Sequence, residues 1–262
     1  MHHAARLANV GKDLAMSQQE GVQNDACITQ HNVGGKLVRR IALVQQKGGA
    51  AKTTLCVHLA VAAQQSGIRT AIIDIDPQAS ASGVWGLARG DLAPPVAAVL
   101  AAELRDALEA AEAEGFELIF IDTPPHTAPA LEVVARNIDV AVVPVQPSIL
   151  DVAATQATLD LLRANSVPAI AVLTRTSPRT DEEILETERA LKALGLSLLN
   201  TRVVERKVYR RALTQGQAVG EFDPTSKAAK EIRALWKEIS AFDINRTTFS
   251  DSTNVPSSKG RA

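Results

Sequence analysis

The sequence predicts an α/β fold, a doubly wound and mainly parallel sheet flanked by helices, on three observations. Short segments that are apolar throughout alternate with segments of helix length. The apolar segments do not alternate inward and outward residues, which is the pattern of strands covered on both faces. Each polar motif follows directly on such a segment, at the carboxyl end where open α/β sheets bind their ligands.

The elements follow in chain order. Ile41 to Val44 reads as the first strand, and a turn through Gly48 and Gly49 leads into a helix from Thr53 to about Gln65. Leu55, Leu59, Ala62 and Ala63 fall at helical spacing there, and Gly67 stops the helix. Thr70 to Asp74, Leu118 to Ile121, Val140 to Val145 and Ala169 to Leu173 give four more strands, with a weaker one around Val96 to Leu100. Helices are expected at Leu104 to Ala113, Asp151 to Ala164 and Asp181 to Leu194. Alternation at these lengths implies right-handed βαβ units. No internal repeat or interdomain linker interrupts it.

Composition limits the possibilities further. The 262 residues are 46% hydrophobic but only 3% aromatic, so small aliphatic side chains must fill the core and helices must pack close on the sheet. A formal charge of −1 gives no global pull toward nucleic acid, so any such binding needs a local patch. Cys27 and Cys56 are spaced neither for a metal site nor for a disulfide framework, and a reducing cytoplasm is the expected compartment. No apolar run approaches the roughly 18 residues needed to span a bilayer, and the N-terminus lacks a signal-peptide core. Residues 1–38 and 243–262 read as disordered tails around one domain at 39–242, with Met1 and Met16 both candidate starts.

The most informative stretch is IALVQQKGGAAKTT, from Ile41 to Thr54. Backbone N–H groups of Gly48, Gly49, Ala50 and Ala51, the positive end of the following helix and the ammonium of Lys52 can together bind a polyphosphate. Thr53 or Thr54 then offers a hydroxyl to its Mg²⁺. The usual G-x-x-x-x-G-K-[ST] pattern is broken, with Gln46 and Ala51 in the two glycine positions and Lys47 at the loop's start. If the position of Ala51 requires a positive φ, its methyl group costs about 1–2 kcal/mol. Downstream, one strand runs into Asp74-Ile75-Asp76-Pro77-Gln78, another ends in Asp122 before Thr-Pro-Pro, and a third ends in Thr174-Arg175. Taken singly, the first of these also fits an acidic turn, and a strand-ending aspartate can simply cap the next turn.

Taken together, KGGxxKTT, DIDPQ and the strand-ending Asp122 resemble the deviant Walker A ATPases of the ParA/MinD family. The likeness is to its small ParA-type (ParF-like) members without an N-terminal DNA-binding domain. The resemblance implies a P-loop fold, ATP/ADP and Mg²⁺ as cofactors, and an ATP-sandwich homodimer in which Lys47 reaches the partner's phosphates. It implies that Asp76 positions the attacking water and supports the metal shell, and that Asp122 and Thr53 hold Mg²⁺. Lys52 would anchor the phosphates, Thr174 and Arg175 would neighbour the adenine, and the segment with Pro124, Pro125 and His126 would sense the nucleotide.

Arg202, Arg206, Lys207, Arg210 and Arg211 form a local basic cluster. A helix starting near Glu205 would align Arg206 with Arg210 and Lys207 with Arg211, giving two rows that neutralise DNA phosphates without reading sequence. Lys227, Lys230 and Arg233 extend the surface, and Ala229, Ile232, Leu235, Trp236 and Ile239 face the core. From the charges alone a solvated helix face is the favoured account. The resemblance favours nonspecific DNA, with a ParB-like or other cargo adaptor stimulating turnover and with the protein associated with the nucleoid. The C-terminal tail lacks an amphipathic helix, so no membrane partner is expected. A nucleotide-gated scaffold with little turnover, because of Ala51, is the alternative. A dethiobiotin synthetase-like ligase is disfavoured because it leaves Lys47 and the basic cluster without a role.

Overall fold

The computed structural model describes residues 32–33, 36–125, 128–179 and 181–242. The expected tails therefore lie largely outside the described residues, although the inner end of the first forms a two-stranded antiparallel ribbon, Asn32–Val33 with Lys36–Leu37.

The domain is an eight-stranded sheet, parallel at every pairing. In chain order, β1 is Arg39–Leu43, β2 Thr70–Asp74, β3 Val96–Ala98, β4 Leu118–Asp122, β5 Val140–Val145 and β6 Ala169–Thr176. Two short strands, β7 Ser197–Leu198 and β8 Val203–Val204, lie along β6. The order across the sheet is β8-β6-β5-β1-β4-β2-β3, so β1 sits in the centre and pairs with both β4 and β5. The order reverses at β1, and ligand crevices form at such switch points.

Helices cover both faces. On one lie α1, Lys52–Gln65, then α6, Lys207–Leu213, α7, Val219–Phe222, and α8, Lys227–Ser240. On the other lie α2, Leu104–Ala113, α3, Ala128–Ala135, α4, Ile149–Ala164, and α5, Glu182–Ala193. Successive strand residues feed the two cores in turn: Ile41 and Leu43 pack toward α1 and α8, Ala42 and Val44 toward α2, α3 and α4. This is why β1 reads as apolar throughout. Helix α1 is buried without a break from Leu55 to Ala63 because it lies between the sheet and α8, and Ala229, Ile232, Leu235, Trp236 and Ile239 are buried as expected.

Two features lack a sequence-level forecast. Between β2 and β3 the chain forms a π-helix, Ser80–Gly86, continuing into a single helical turn, Leu87–Arg89. Arg39, 4% exposed, sends its guanidinium to the end of α8 and donates to the carbonyls of Ile239, Ser240 and Phe242 at 3.3, 3.4 and 3.2 Å. It thereby satisfies acceptors that a helix C-terminus leaves open.

Candidate functional site

The turn from β1 into α1 lies at the carboxyl edge of the sheet's centre. Its backbone takes two positive φ values, 77° at Gly49 and 71° at Ala51. Ala51, with ψ 26°, is the N-cap of α1, so the left-handed conformation falls on a residue that carries a methyl group. An alanine cap also brings no side-chain acceptor. Helices α4, α5 and α8 are capped by Ser148, Asp181 and Ser226, each accepting a backbone N–H, whereas α1 keeps its first-turn N–H groups for a ligand.

The loop is held from outside by its carbonyls. Gly49 accepts from Gln146 Nε2 at 3.0 Å and from Arg175 Nη1 at 3.3 Å, and Ala50 accepts from Thr174 Oγ1 at 3.2 Å. The backbone N–H groups are what remains for an anion. Beside the loop opens a cavity of about 410 Å³, lined by Gly48 to Thr54, Asp76, Pro125, Arg175, Val203 to Arg206, Tyr209 and Arg210. His126 lies outside the described residues.

A buried acid, Asp122, interacts with Lys52, Thr53 and Asp76 of the cavity wall. Asp122 is 0% exposed and neither carboxylate oxygen has a hydrogen-bond partner among the described residues. Burial pushes its carboxyl up to about 7; the Thr53 hydroxyl and Lys52 oppose the rise, while Asp74 and Asp76 add to it. An orphaned buried carboxylate is costly unless a cation completes it. Asp122 with the Thr53 hydroxyl therefore fits Mg²⁺, which needs few protein ligands and keeps waters or phosphate oxygens in its other positions. Lys52 is buried, donates from Nζ to the Gln45 carbonyl at 2.9 Å, and has its pKa lowered by burial against the pull of Asp122 and Asp76.

The two acids of DIDPQ separate in role. Asp74, 1% exposed, accepts the N–H of Asp76 at 3.0 Å and both the N–H and hydroxyl of Ser82, at 2.9 and 3.0 Å. It is a buried turn anchor that needs no cation. Asp76 lines the cavity, accepting the N–H of Gln78 at 2.9 Å. Thr174, also 0% exposed, braces the loop and does not line the cavity, whereas Arg175 does, at φ 52° and paired with Glu205 at 2.7 Å.

Lys47 is folded back onto its own chain, its ammonium on the carboxylate of Asp151 in the first turn of α4. Asp151 is 1% exposed and its second oxygen has no partner among the described residues, so this lysine balances a buried charge. Gln45, also buried, ties the same region together through Thr155 at 3.0 Å. Asp151, Gln146, Gln45 and Glu205 carry no motif of their own. Only the helix-start signal at Ser148, which places Asp151 in a first turn, points to any of them.

The basic cluster departs from its expected geometry. Helix α6 begins at Lys207, and Arg206 precedes it in extended conformation at φ −140°, so Arg206 and Arg210 do not form a helical row. Arg206 is held by Glu231, which also accepts from Tyr209 Oη at 3.1 Å, and Arg202 is held by Glu188 at 2.6 Å. Lys207, Arg210 and Arg211 remain exposed; Arg211 lies over the Phe222 ring at 5.7 Å and Arg210 lines the cavity.

Residues 41–219 match the family described as the CobQ/CobB/MinD/ParA nucleotide binding domain. The chain is 32% identical over 209 residues to the maintenance of carboxysome distribution protein A of Gloeobacter kilaueensis, covering 77% of this chain and 92% of that one. It is 31% identical over 239 residues to the chromosome-partitioning ATPase Soj of Thermus thermophilus, covering 78% of this chain and 96% of that one. Its fold is similar to that of the septum site-determining protein MinD of Pyrococcus horikoshii complexed with Mg-ADP, with TM-score 0.66, 21% identity and coverage of 78% and 96%.

Proposed function

The chain belongs to the CobQ/CobB/MinD/ParA nucleotide-binding family, and we propose that it is a dimerising ATPase that positions a large cargo by binding nonspecific DNA in its ATP state. The observation that carries this reading is the convergence, at one edge of the sheet, of Lys52, Thr53 and an unpartnered Asp122 with a second loop lysine, Lys47.

In this reading the first-turn N–H groups of α1 and Lys52 bind the β- and γ-phosphates, and Asp122 and Thr53 hold Mg²⁺. The ion, when bound, neutralises charge on the phosphate oxygens. Asp76 orients the attacking water from the cavity wall. Lys47 leaves Asp151 and reaches the phosphates of a second subunit, where a cation stabilises charge developing in phosphoryl transfer. Exchanging one carboxylate partner for a phosphate partner moves this lysine without stranding its charge. Arg175 borders the base, and Lys207, Arg210 and Arg211 supply the DNA contacts. The names of the two relatives, one for carboxysome distribution and one for chromosome partitioning, support a large cargo, and the proposal adds an adaptor that links it to the ATPase.

The test is ATP turnover and duplex retention measured with ATP and with ADP, in the presence and absence of a candidate adaptor. Retention confined to the ATP state and turnover raised by DNA plus adaptor are expected. A second reading, a nucleotide-gated scaffold with little turnover, draws on the left-handed Ala51. ATP binding without any stimulated turnover would leave that reading in place of the first.

A further inference from the structure

The stretch that leaves the cavity after Asp76 is fastened at both ends. At its near end Asp74 binds Asp76 and Ser82 together, so Asp76 and the first turn of the π-helix are one unit. At its far end Arg89, 5% exposed, donates to the Gly216 carbonyl at 2.9 Å and to both oxygens of Glu221 at 2.9 Å, with its guanidinium 4.6 Å over the Trp85 ring. Trp85 Nε1 donates to the Gln217 carbonyl at 3.3 Å.

The receiving turn is the one that leaves α6, closed by the bond from Gly216 N–H to the Leu213 carbonyl at 3.1 Å. Gly216, at φ 66°, packs so closely that a Cβ there would sit 2.4 Å from the backbone of Ala88 and Arg89. A buried bidentate guanidinium and a backbone-on-backbone contact form a stiff joint. Between the ends lies a π-helix, Ser80–Gly86, entered through Ala79 at φ 49°. Its turns are wider than those of an α-helix, and such segments are frequent at functional sites.

We infer that Arg89 and Trp85 are positioning residues that couple the Asp76 segment to α6, so that the nucleotide at the phosphate loop sets the pose of Lys207, Arg210 and Arg211. This rests on the nucleotide-switched DNA binding proposed above. A ligand that moves Asp76 slides the π-helix, and Arg89 carries the displacement to the turn at Gly216. The coupling acts within one subunit, in addition to any gain from bringing two basic helices together.

The experiment compares wild type with Arg89→Lys, which keeps the charge but loses the bidentate grip, and with Trp85→Phe, which keeps the packing but loses the donor to Gln217. The full-length protein is titrated with ATP, and then with duplex DNA in the ATP and ADP states. Wild type should bind DNA more tightly with ATP, by a factor in the range of about 5 to 150. Both variants should bind ATP as wild type does, while that factor falls toward one, an outcome that simple loss of stability does not give. A factor unchanged in folded, ATP-binding Arg89→Lys or Trp85→Phe overturns the inference. If wild type binds no DNA in either state, the DNA reading fails, and hydrogen exchange over residues 207–213 decides the coupling alone. An ATP-induced change there that disappears in the variants supports it, and one that survives in them, or is absent from wild type, overturns it.

Discussion

The phosphate loop and the basic segment lie across the same cavity, and they are built on opposite terms. At the loop, backbone geometry makes the site: carbonyls are pinned by Gln146, Arg175 and Thr174, and a fully buried acid, Asp122, has no hydrogen-bond partner for either carboxylate oxygen among the described residues. At the basic segment, side chains carry the charge, and acids have already taken part of it, Glu188 holding Arg202 and Glu231 holding Arg206. A held backbone is ready for a ligand of fixed shape. A set of cations shared with neighbouring acids suits a ligand of repeating charge, for which no single contact decides.

The largest effect that would break this contrast comes from Lys52. If the loop is preorganised around it, Lys52→Met lowers ATP turnover by about 10²–10³, the loss typical of removing one preorganised charge-stabilising donor. Equilibrium nucleotide binding and steady-state turnover check it, and a loss below tenfold would mean the backbone alone suffices.

His58 joins the two regions, since it sits on α1 and its ring lies 5.2 Å from that of Tyr209 on α6. Its Nδ1 accepts the Val219 N–H at 3.2 Å, Nε2 has no partner among the described residues, and complete burial pulls its pKa down to about 3. The unfolded chain therefore protonates first. The contribution is full above about pH 6.5 and is lost as pH falls toward 3, at about 1.4 kcal/mol per unit. By pH 4.5 this reaches roughly 3 kcal/mol, and His58→Asn should flatten that part of the acid limb in denaturant titrations.

Ala51 tests how much strain the loop tolerates. Ala51→Gly removes about 1–2 kcal/mol of left-handed strain, which appears as tighter ATP binding by roughly 5- to 30-fold, as greater stability, or as a division between the two. No change in either would mean that the surroundings absorb the methyl group. The smallest effects belong to the basic segment. Arg210→Ala should lower the log–log salt slope of DNA binding by about 1, whereas Arg202→Ala, removing a cation that Glu188 already engages, should move it less. Equal losses would mean that the ion pairs open on DNA and that the five cations act alike.

These two regions also differ in how far the sequence reveals them. The loop was legible because its chemistry is local: Lys47, Gly49, Ala51, Lys52 and Thr53 fall in one short stretch, and Asp122 closes an unmistakable buried strand. The positive φ at Ala51, only a condition in the sequence, is 71° in the fold. What braces the loop was not legible, because Gln146, Thr174 and Arg175 come from strand ends that only the sheet order brings alongside. The basic segment misled for the same reason. Its spacing predicts a helix from Glu205, but Glu231 on α8 accepts from Tyr209 and binds Arg206, which stays extended ahead of the helix. The π-helix, with neither a capping residue nor clear periodicity, left no pattern to read.

The grip of Arg39 on the last turn of α8 bears on the order in which a growing chain can become a protein. This arginine opens the central strand, yet its acceptors are the carbonyls of Ile239, Ser240 and Phe242. Until those residues leave the ribosome, the guanidinium lacks these three carbonyl acceptors and stays with water. The tie between the central strand and the end of α8 therefore forms only once nearly the whole domain has been made, and a chain truncated inside α8 lacks it.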